Sequence, residues 1–549
     1  MIEMASEEIL RKTLKNADGK PFAKYKGITN NFVLEDFELI VDEVQNDRAG
    51  HSRMRVRVPM RNAGFPEDTY FTPSREIALR DLIARRFWES ARTHARSPIP
   101  KTDGGEVYIP RPGQEILARG SVIITQYFVE VRFTADLPSS GGKVNAMATQ
   151  ELIYGRIGRI VSESMFYSAY KQSKLYNHLH VSENADHIRS VLDDMGLVAF
   201  IADGSVLPRR EDDLAPKLDA VGFGCDGSFK VTIEVPNGDP VSGMGVPKGF
   251  TAITGCSRAG KSVLADALFA GVYNHIPGDG REYVISRPDA SYVISEPGRP
   301  SDAVDISMFL PVSPEFEDTV RTQSPSVPSP VSELVSISEA VEMGSGLVIM
   351  DEEFSNPCVI RRGFLAEGEG MTSVSELGRS MSDHGVSLVM VTGDESALRL
   401  ADNVILMDGF TARGVDLEKN GSDAVFRVPN TRYPVSKGMS YEKGRKEVST
   451  SAVSIRTVEV GEYKVNAPVM GVFDMAQTRT IADAMVIARD LMDGSRSMME
   501  ICTQALGQID ENDMAVDNGD GMHHAHVRPI DLAAIINRHP GMLAIQKTE

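Results

Sequence analysis

The sequence predicts an α/β fold: a P-loop core between an N-terminal α/β domain and a small C-terminal α+β domain. Three observations carry this. Gly255-Cys256-Ser257-Arg258-Ala259-Gly260-Lys261-Ser262 fits G-x-x-x-x-G-K-[ST] at every fixed position. Further along, the apolar run Leu347-Val348-Ile349-Met350 ends in Asp351-Glu352. From about Leu197 onward, strand-like, turn and helix-like segments alternate, as in an α/β domain.

At 549 residues the chain is too long for one core. Three domains are expected, at 1–205, 206–430 and 431–549. With 42% hydrophobic and 25% charged residues, no large disordered region is implied. No run of eighteen apolar residues occurs, which argues against a membrane span. The net charge of -19 excludes a general polyanion binder, so any nucleic-acid site must be a local basic patch. Cys225, Cys256, Cys358 and Cys502 form no CxxC pair, which argues for a reducing compartment and against a structural zinc site. Met1-Ile2-Glu3-Met4 has early acids and no apolar h-region. A cytoplasmic location is expected, or the mitochondrial matrix if a transit peptide has been removed.

In the first domain, Arg53, Arg55 and Arg57 alternate with Met54, Val56 and Val58, a period-2 strand with one cationic face. Residues 77–96 read as a basic helix carrying Arg80, Arg85, Arg86, Arg92 and Arg96. Residues 122–133 read as one strand, 137–142 as a loop and 146–172 as helical. In the second domain, apolar strands are expected at 346–350, 386–391 and 404–407. After Pro429 comes a linker with Arg432, Lys437, Lys443, Arg445 and Lys446. A strand pair begins near 454–459. Helices are expected near 475–493, 498–508 and 531–538, with an acidic turn at 517–521.

The P-loop is preceded by a buried strand, Phe250-Thr251-Ala252-Ile253-Thr254. It is followed by Val263, Leu264, Ala267 and Leu268 at helical spacing. That strand–loop–helix brings backbone N–H groups and a helix N-terminus to a phosphate. Lys261 is expected at the β/γ-phosphates of ATP, and the Ser262 hydroxyl on Mg²⁺. Gly255 through Val263 form the expected nucleotide-binding stretch. Asp351 would hold Mg²⁺ through water, and Glu352 would polarise the attacking water, as in ATPases of the ABC and RecA classes.

An ABC ATPase also needs a clamp at a helix N-terminus before this acidic strand. The window here is Ser326-Val327-Pro328-Ser329-Pro330-Val331-Ser332-Glu333, with a helix expected at 334–343. Ser329 and Ser332 can donate hydroxyls, but glycine is missing and Pro328 and Pro330 remove donors. The later strand leads into Thr392-Gly393-Asp394-Glu395 with no switch histidine. Phe223 or Phe229 is a candidate adenine stacker, with core packing as the competing account. His523, His524 and His526 read as solvated loop residues. Arg53, Arg55 and Arg57, with Lys443, Arg445 and Lys446, are the candidate nucleic-acid contacts. A solvated face closed by ion pairs competes with that reading.

The segment Gly271-Val272-Tyr273-Asn274-His275-Ile276-Pro277-Gly278-Asp279-Gly280-Arg281-Glu282 resembles a signature of the family of predicted ATPases of the ABC class. Segments 112–117, 196–205, 243–247, 304–307 and 477–482 are similar to the same family. The resemblance implies an ABC-type P-loop ATPase core, an N-terminal α/β domain and a smaller C-terminal domain, paired as a homodimer. Relatives include a trypanosome mitochondrial RNA-editing accessory ATPase, which implies RNA as a partner. The chain departs from the family at the proline-containing clamp, at Asp351-Glu352-Glu353 in place of D-E-D, and at Phe354-Ser355-Asn356-Pro357 in place of small residues. The first departure implies slow hydrolysis, and ATP held by a scaffold without turnover is the alternative.

Overall fold

The computed structural model describes residues 5–46, 50–95, 99, 103–211, 214–217, 219–312, 318–361, 370–439, 448–468, 471–511, 514 and 521–547. Arg96, Lys443, Arg445, Lys446 and most of the acidic turn at 517–521 lie outside them. The chain forms two compact units. One is Met1–His180 with Asp510–His526, and the other is Val181–Ile509 with Val527–Glu549.

The first unit is built on a sheet with strands in the order Ala5–Ser6, Asn31–Val33, Glu38–Glu43, Ser52–Pro59, Phe128–Ala135 and Val107–Tyr108. Ser52–Pro59 alternates buried and half-buried residues, so Met54, Val56 and Val58 face the core and the arginines face out. The basic helix spans Pro73–Thr93, with Thr72 as its N-cap. The single strand expected at 122–133 is instead a hairpin of Val122–Ile124 and Phe128–Ala135. Thr125 makes the turn, its Oγ1 accepting from the N–H groups of Tyr127 and Phe128. The expected loop at 137–142 is also a tight hairpin. Ser139–Ser140 pairs with Lys143–Val144 around Gly141-Gly142, both at positive φ. The helical stretch after it ends at Ser164, and a further helix, Gln172–Val191, is absent from the expected elements.

The second unit holds the P-loop sheet. Its strands run in the order Gly224–Asp226, Thr411–Gly414, Asn403–Asp408, Phe250–Gly255, Ser387–Val391, Leu347–Asp351 and Ala290–Val293. The last five are mutually parallel. They are nearly continuous apolar runs because helices cover both faces. Leu347–Asp351 is buried along its whole length. Ser387–Val391 follows Leu347–Asp351 in the chain, yet lies between it and the P-loop strand. Val391 is in register with both Ile253 and Asp351. Three carboxyl-terminal strand ends therefore converge at one sheet edge, where open α/β sheets bind ligands.

The helix expected at 334–343 begins earlier, at Ser329, and runs to Glu342. Pro330 falls in its first turn, where a missing N–H costs nothing. Arg432 is not in a linker. It is buried in a strand, Arg432–Val435, paired with Leu543–Gln546. The expected strand pair near 454–459 is a three-stranded sheet, Thr450–Ser454, Thr457–Val460 and Tyr463–Asn466. The last three helices span Met475–Leu491, Met498–Asp510 and Pro529–Ile536.

Candidate functional site

The strand Phe250–Gly255 delivers the loop, and the helix Lys261–Ala270 closes it. Gly255 has φ 143°, and a Cβ there would collide with the Met407 carbonyl. Gly260 has φ 92°, and a Cβ there would sit 2.7 Å from the Phe410 ring. Gly255 is thus required by the strand Asn403–Asp408 and Gly260 by the turn after it, both of which pack directly against the loop. The helix has no side-chain N-cap, so its first-turn N–H groups are left for an anion. Lys261 Nζ donates to the loop's own carbonyls, Gly255 O (2.9 Å) and Cys256 O (3.0 Å).

The acidic residues lie beside this loop. Asp351 is 1% exposed, and its Oδ2 has no hydrogen-bond partner among the described residues. Burial raises its carboxyl above the usual range. Its Oδ1 accepts from Glu353 N (3.0 Å), and Ser262 Oγ donates to Glu353 Oε2 (3.3 Å). An orphaned carboxylate oxygen beside a serine hydroxyl fits Mg²⁺, a hard cation that takes oxygen ligands. Glu352 is held apart from this cluster. Its Oε2 accepts from Thr392 Oγ1 (2.8 Å) and Gly393 N (2.8 Å). Thr392 therefore occupies the place expected of a switch histidine. Its role follows from Ser387–Val391 lying next to Leu347–Asp351, a strand order that the linear sequence does not display. Phe410 is likewise unanticipated, being far from the loop in sequence.

The clamp window is tied into neighbouring segments. Ser332 is fully buried, donating to Ser329 O (2.6 Å) and accepting from Glu296 N (2.9 Å). Ser329 Oγ meets Ser295 Oγ (2.6 Å) and accepts from Asn356 Nδ2 (3.0 Å). Of the two serines expected as donors, Ser332 is committed internally and Ser329 is half-buried. Glu333 is also fully buried, with Oε1 accepting from Asn356 N (2.6 Å).

The signature segment is a scaffold beside the P-loop helix. Asp279, fully buried, accepts from Arg209 Nη2 (2.6 Å) and pairs with His275 Nδ1 (2.9 Å). Burial opposes its charge, but His275, Arg209 and Arg281 together hold the carboxyl below the usual range. Phe223 is buried in the core, while Phe229 is half-buried beside Gly414. His524 is buried, correcting its place among solvated loop histidines, and its Nδ1 lies 2.7 Å from Met514 O. In the first unit the exposed-strand arginines are all paired: Arg53 with Glu43 (2.8 Å), Arg55 with Asp42 (2.6 Å) and Arg57 with Glu130 (2.7 Å). No helix among the described residues is long and apolar enough to cross a membrane.

Comparisons with known proteins give the following likenesses. Residues 171–436 match the family model for the P-loop domain of ABC ATPases. Residues 7–168 match the N-terminal model for ATPases of the ABC class. Residues 449–543 match the MRB1590 C-terminal domain. An uncharacterized protein of Methanocaldococcus jannaschii, MJ1628, is 28% identical over 250 residues, covering 43% of this chain and 55% of that protein. The chain thus matches about half the length of that relative. Similar solved structures include cbiO1 from Clostridium perfringens, part of the ABC transporter complex cbiONQ (15% identity, 40% of this chain, 87% of that one, TM-score 0.24). Another is the ATP-binding cassette MJ0796 in a dimeric post-hydrolysis state with ADP and Pi (10% identity, 35% and 97% coverage, TM-score 0.21). With models for both the P-loop domain and the N-terminal region matched in succession, the chain belongs to the family of ATPases of the ABC class.

Proposed function

We propose that the chain is a Mg·ATP-dependent ATPase in which two copies sandwich nucleotide, with slow hydrolysis coupled to binding RNA or another nucleic acid. The observation that carries the chemistry is the pairing of an open, uncapped helix N-terminus with Glu352 pinned by Thr392 and Gly393. Gly255 through Val263 would hold the phosphates, with Lys261 as their charge partner. Ser262 and Asp351 would hold Mg²⁺, which when bound neutralises charge on the β- and γ-phosphates. Glu352 would orient the attacking water. The three-part domain division at 1–205, 206–430 and 431–549 belongs to this proposal. So does the nucleic-acid partner, for which Arg53, Arg55 and Arg57 are the named contacts among the described residues. Because each is paired with an acid, a phosphate would have to displace a carboxylate there.

A second reading, a scaffold that binds ATP to dimerise without turnover, is favoured by one observation: Ser332 is committed to internal hydrogen bonds. The tests separate these readings. Lys261→Ala is expected to abolish ATP binding measured by titration, and wild-type affinity in that variant would overturn the site. Glu352→Gln is expected to suppress turnover, whereas an unchanged rate favours the scaffold. RNA binding should weaken steeply with salt, and an absent or salt-independent signal sinks that part.

A further inference from the structure

Among the described residues, two carboxylates at the nucleotide site have no ion-pair partner. Lys261 of the loop gives its ammonium to Gly255 O and Cys256 O. Glu352 is occupied by Thr392 and Gly393. That leaves Asp351 and Glu353, neither with an ion-pair partner among the described residues. Asp351 Oδ2 is orphaned in a residue that is almost fully buried. Glu353, by contrast, is exposed, and it reaches across to Ser262 Oγ (3.3 Å). Its own N–H fixes the Asp351 carboxylate through Oδ1 (3.0 Å), leaving Oδ2 as the unused atom. Charge left unpaired at a buried site is costly, and a cation relieves it.

We propose that Glu353, with Asp351 and Ser262, forms a divalent-cation site that fills before nucleotide arrives. The ligand class is a hard divalent cation, Mg²⁺ or Mn²⁺, taken by two carboxylates and a hydroxyl with water completing the shell. A serine and a single acid are weak ligands without the oxygens of a triphosphate. The second carboxylate changes that, because affinity for such ions rises with the number of charged ligands. The glutamate side chain matters as well as its charge. One methylene shorter, an aspartate at this position would draw the carboxylate back from Ser262. The order of assembly follows: the cation sits at the loop first, and its charge then attracts the anionic nucleotide. This rests on the assignment of the P-loop as the nucleotide site, but concerns the cation alone.

The test is Mn²⁺ binding to nucleotide-free full-length protein, read by electron paramagnetic resonance of the free ion. Wild type is expected to bind one Mn²⁺ per chain at this site. Glu353→Gln and Glu353→Asp should each weaken it by roughly tenfold or more. Thermal melting of each variant in EDTA, unchanged from wild type, shows that the fold is intact. Absence of Mn²⁺ binding to nucleotide-free wild type overturns the proposal, as does equal binding by folded Glu353→Gln. Lys261→Ala keeps the two ideas apart. It should lose ATP yet keep Mn²⁺, so normal ATP binding in that variant defeats the nucleotide assignment without touching the cation result.

Discussion

At the scale of single residues, the site depends on which atoms hold Glu352. In the proposed reaction Glu352 is the general base, and such a base needs its carboxylate aimed before substrate arrives, since a misplacement of about 1 Å can cost about a hundredfold in rate. Thr392 and Gly393 supply that aim with two donors on one oxygen. Thr392 Oγ1 also accepts from Asp394 N (3.0 Å), so the hydroxyl bridges the base to the next turn. Valine keeps the shape and removes both bonds. Thr392→Val should lower ATP turnover by about tenfold or more while leaving ATP affinity unchanged. Equal turnover in the variant and wild type would show that Glu352 needs no such support. The residues of the P-loop are legible in the sequence because each is defined by spacing to its neighbours. Thr392 is not, because its contact to Glu352 spans two parallel strands.

At the scale of elements, the turn that follows Leu347–Asp351 is fastened to the helix Ser329–Glu342. Glu333 is the fastening, accepting from Asn356 N with one oxygen and leaving Oε2 without a partner among the described residues. Burial pushes its carboxyl up to about 7 from an ordinary 4.5. The folded chain therefore favours the protonated acid. Its contribution is intact below about pH 4.5 and is lost as pH rises through about 7, at a cost on the order of 3 kcal/mol. Glu333→Gln keeps an acceptor for Asn356 and cannot ionise. Its melting temperature should match wild type at pH 5 and exceed it at pH 8. A wild-type-minus-variant difference that stays constant between those pH values would refute this. The same helix shows where reading by element falters. Pro328 and Pro330 look like breakers, yet they sit at its start, where proline is tolerated. Thr125 hides a turn inside an apolar run, because β-branched residues suit strands and turns alike when a hydroxyl can accept locally.

At the scale of the molecule, the P-loop unit is not a core with a detachable tail. Residues beyond 430 enter it through buried arginines. Arg432 gives Nε and Nη2 to Glu342 Oε2 (2.9 and 2.6 Å), Nη1 to Asp302 O (3.1 Å) and Nη2 to Asn537 Oδ1 (3.0 Å). Arg528 reaches Pro288 O (2.9 Å) and Ala290 O (2.8 Å), while Arg538 pairs with Glu296. These contacts join segments 90 or more residues apart, and the sequence pattern alone reads Arg432 as a linker residue. Both members of the Arg432–Glu342 pair are nearly inaccessible, at 2% and 5% side-chain exposure. Removing one charge from such a pair leaves the other buried and uncompensated, typically costing about 3–5 kcal/mol, whereas replacing both with apolar groups is often close to neutral. Arg432→Met should therefore lower the melting temperature of the P-loop unit sharply, and the Arg432→Met/Glu342→Met double variant should recover most of the loss. Glu342 ends the helix Ser329–Glu342 that also carries Glu333, so the single variant should also weaken ATP binding by loosening that helix. If Arg432→Met melts like wild type, or if the double variant falls further than the single, the pair is not what joins the C-terminal segments to the P-loop sheet.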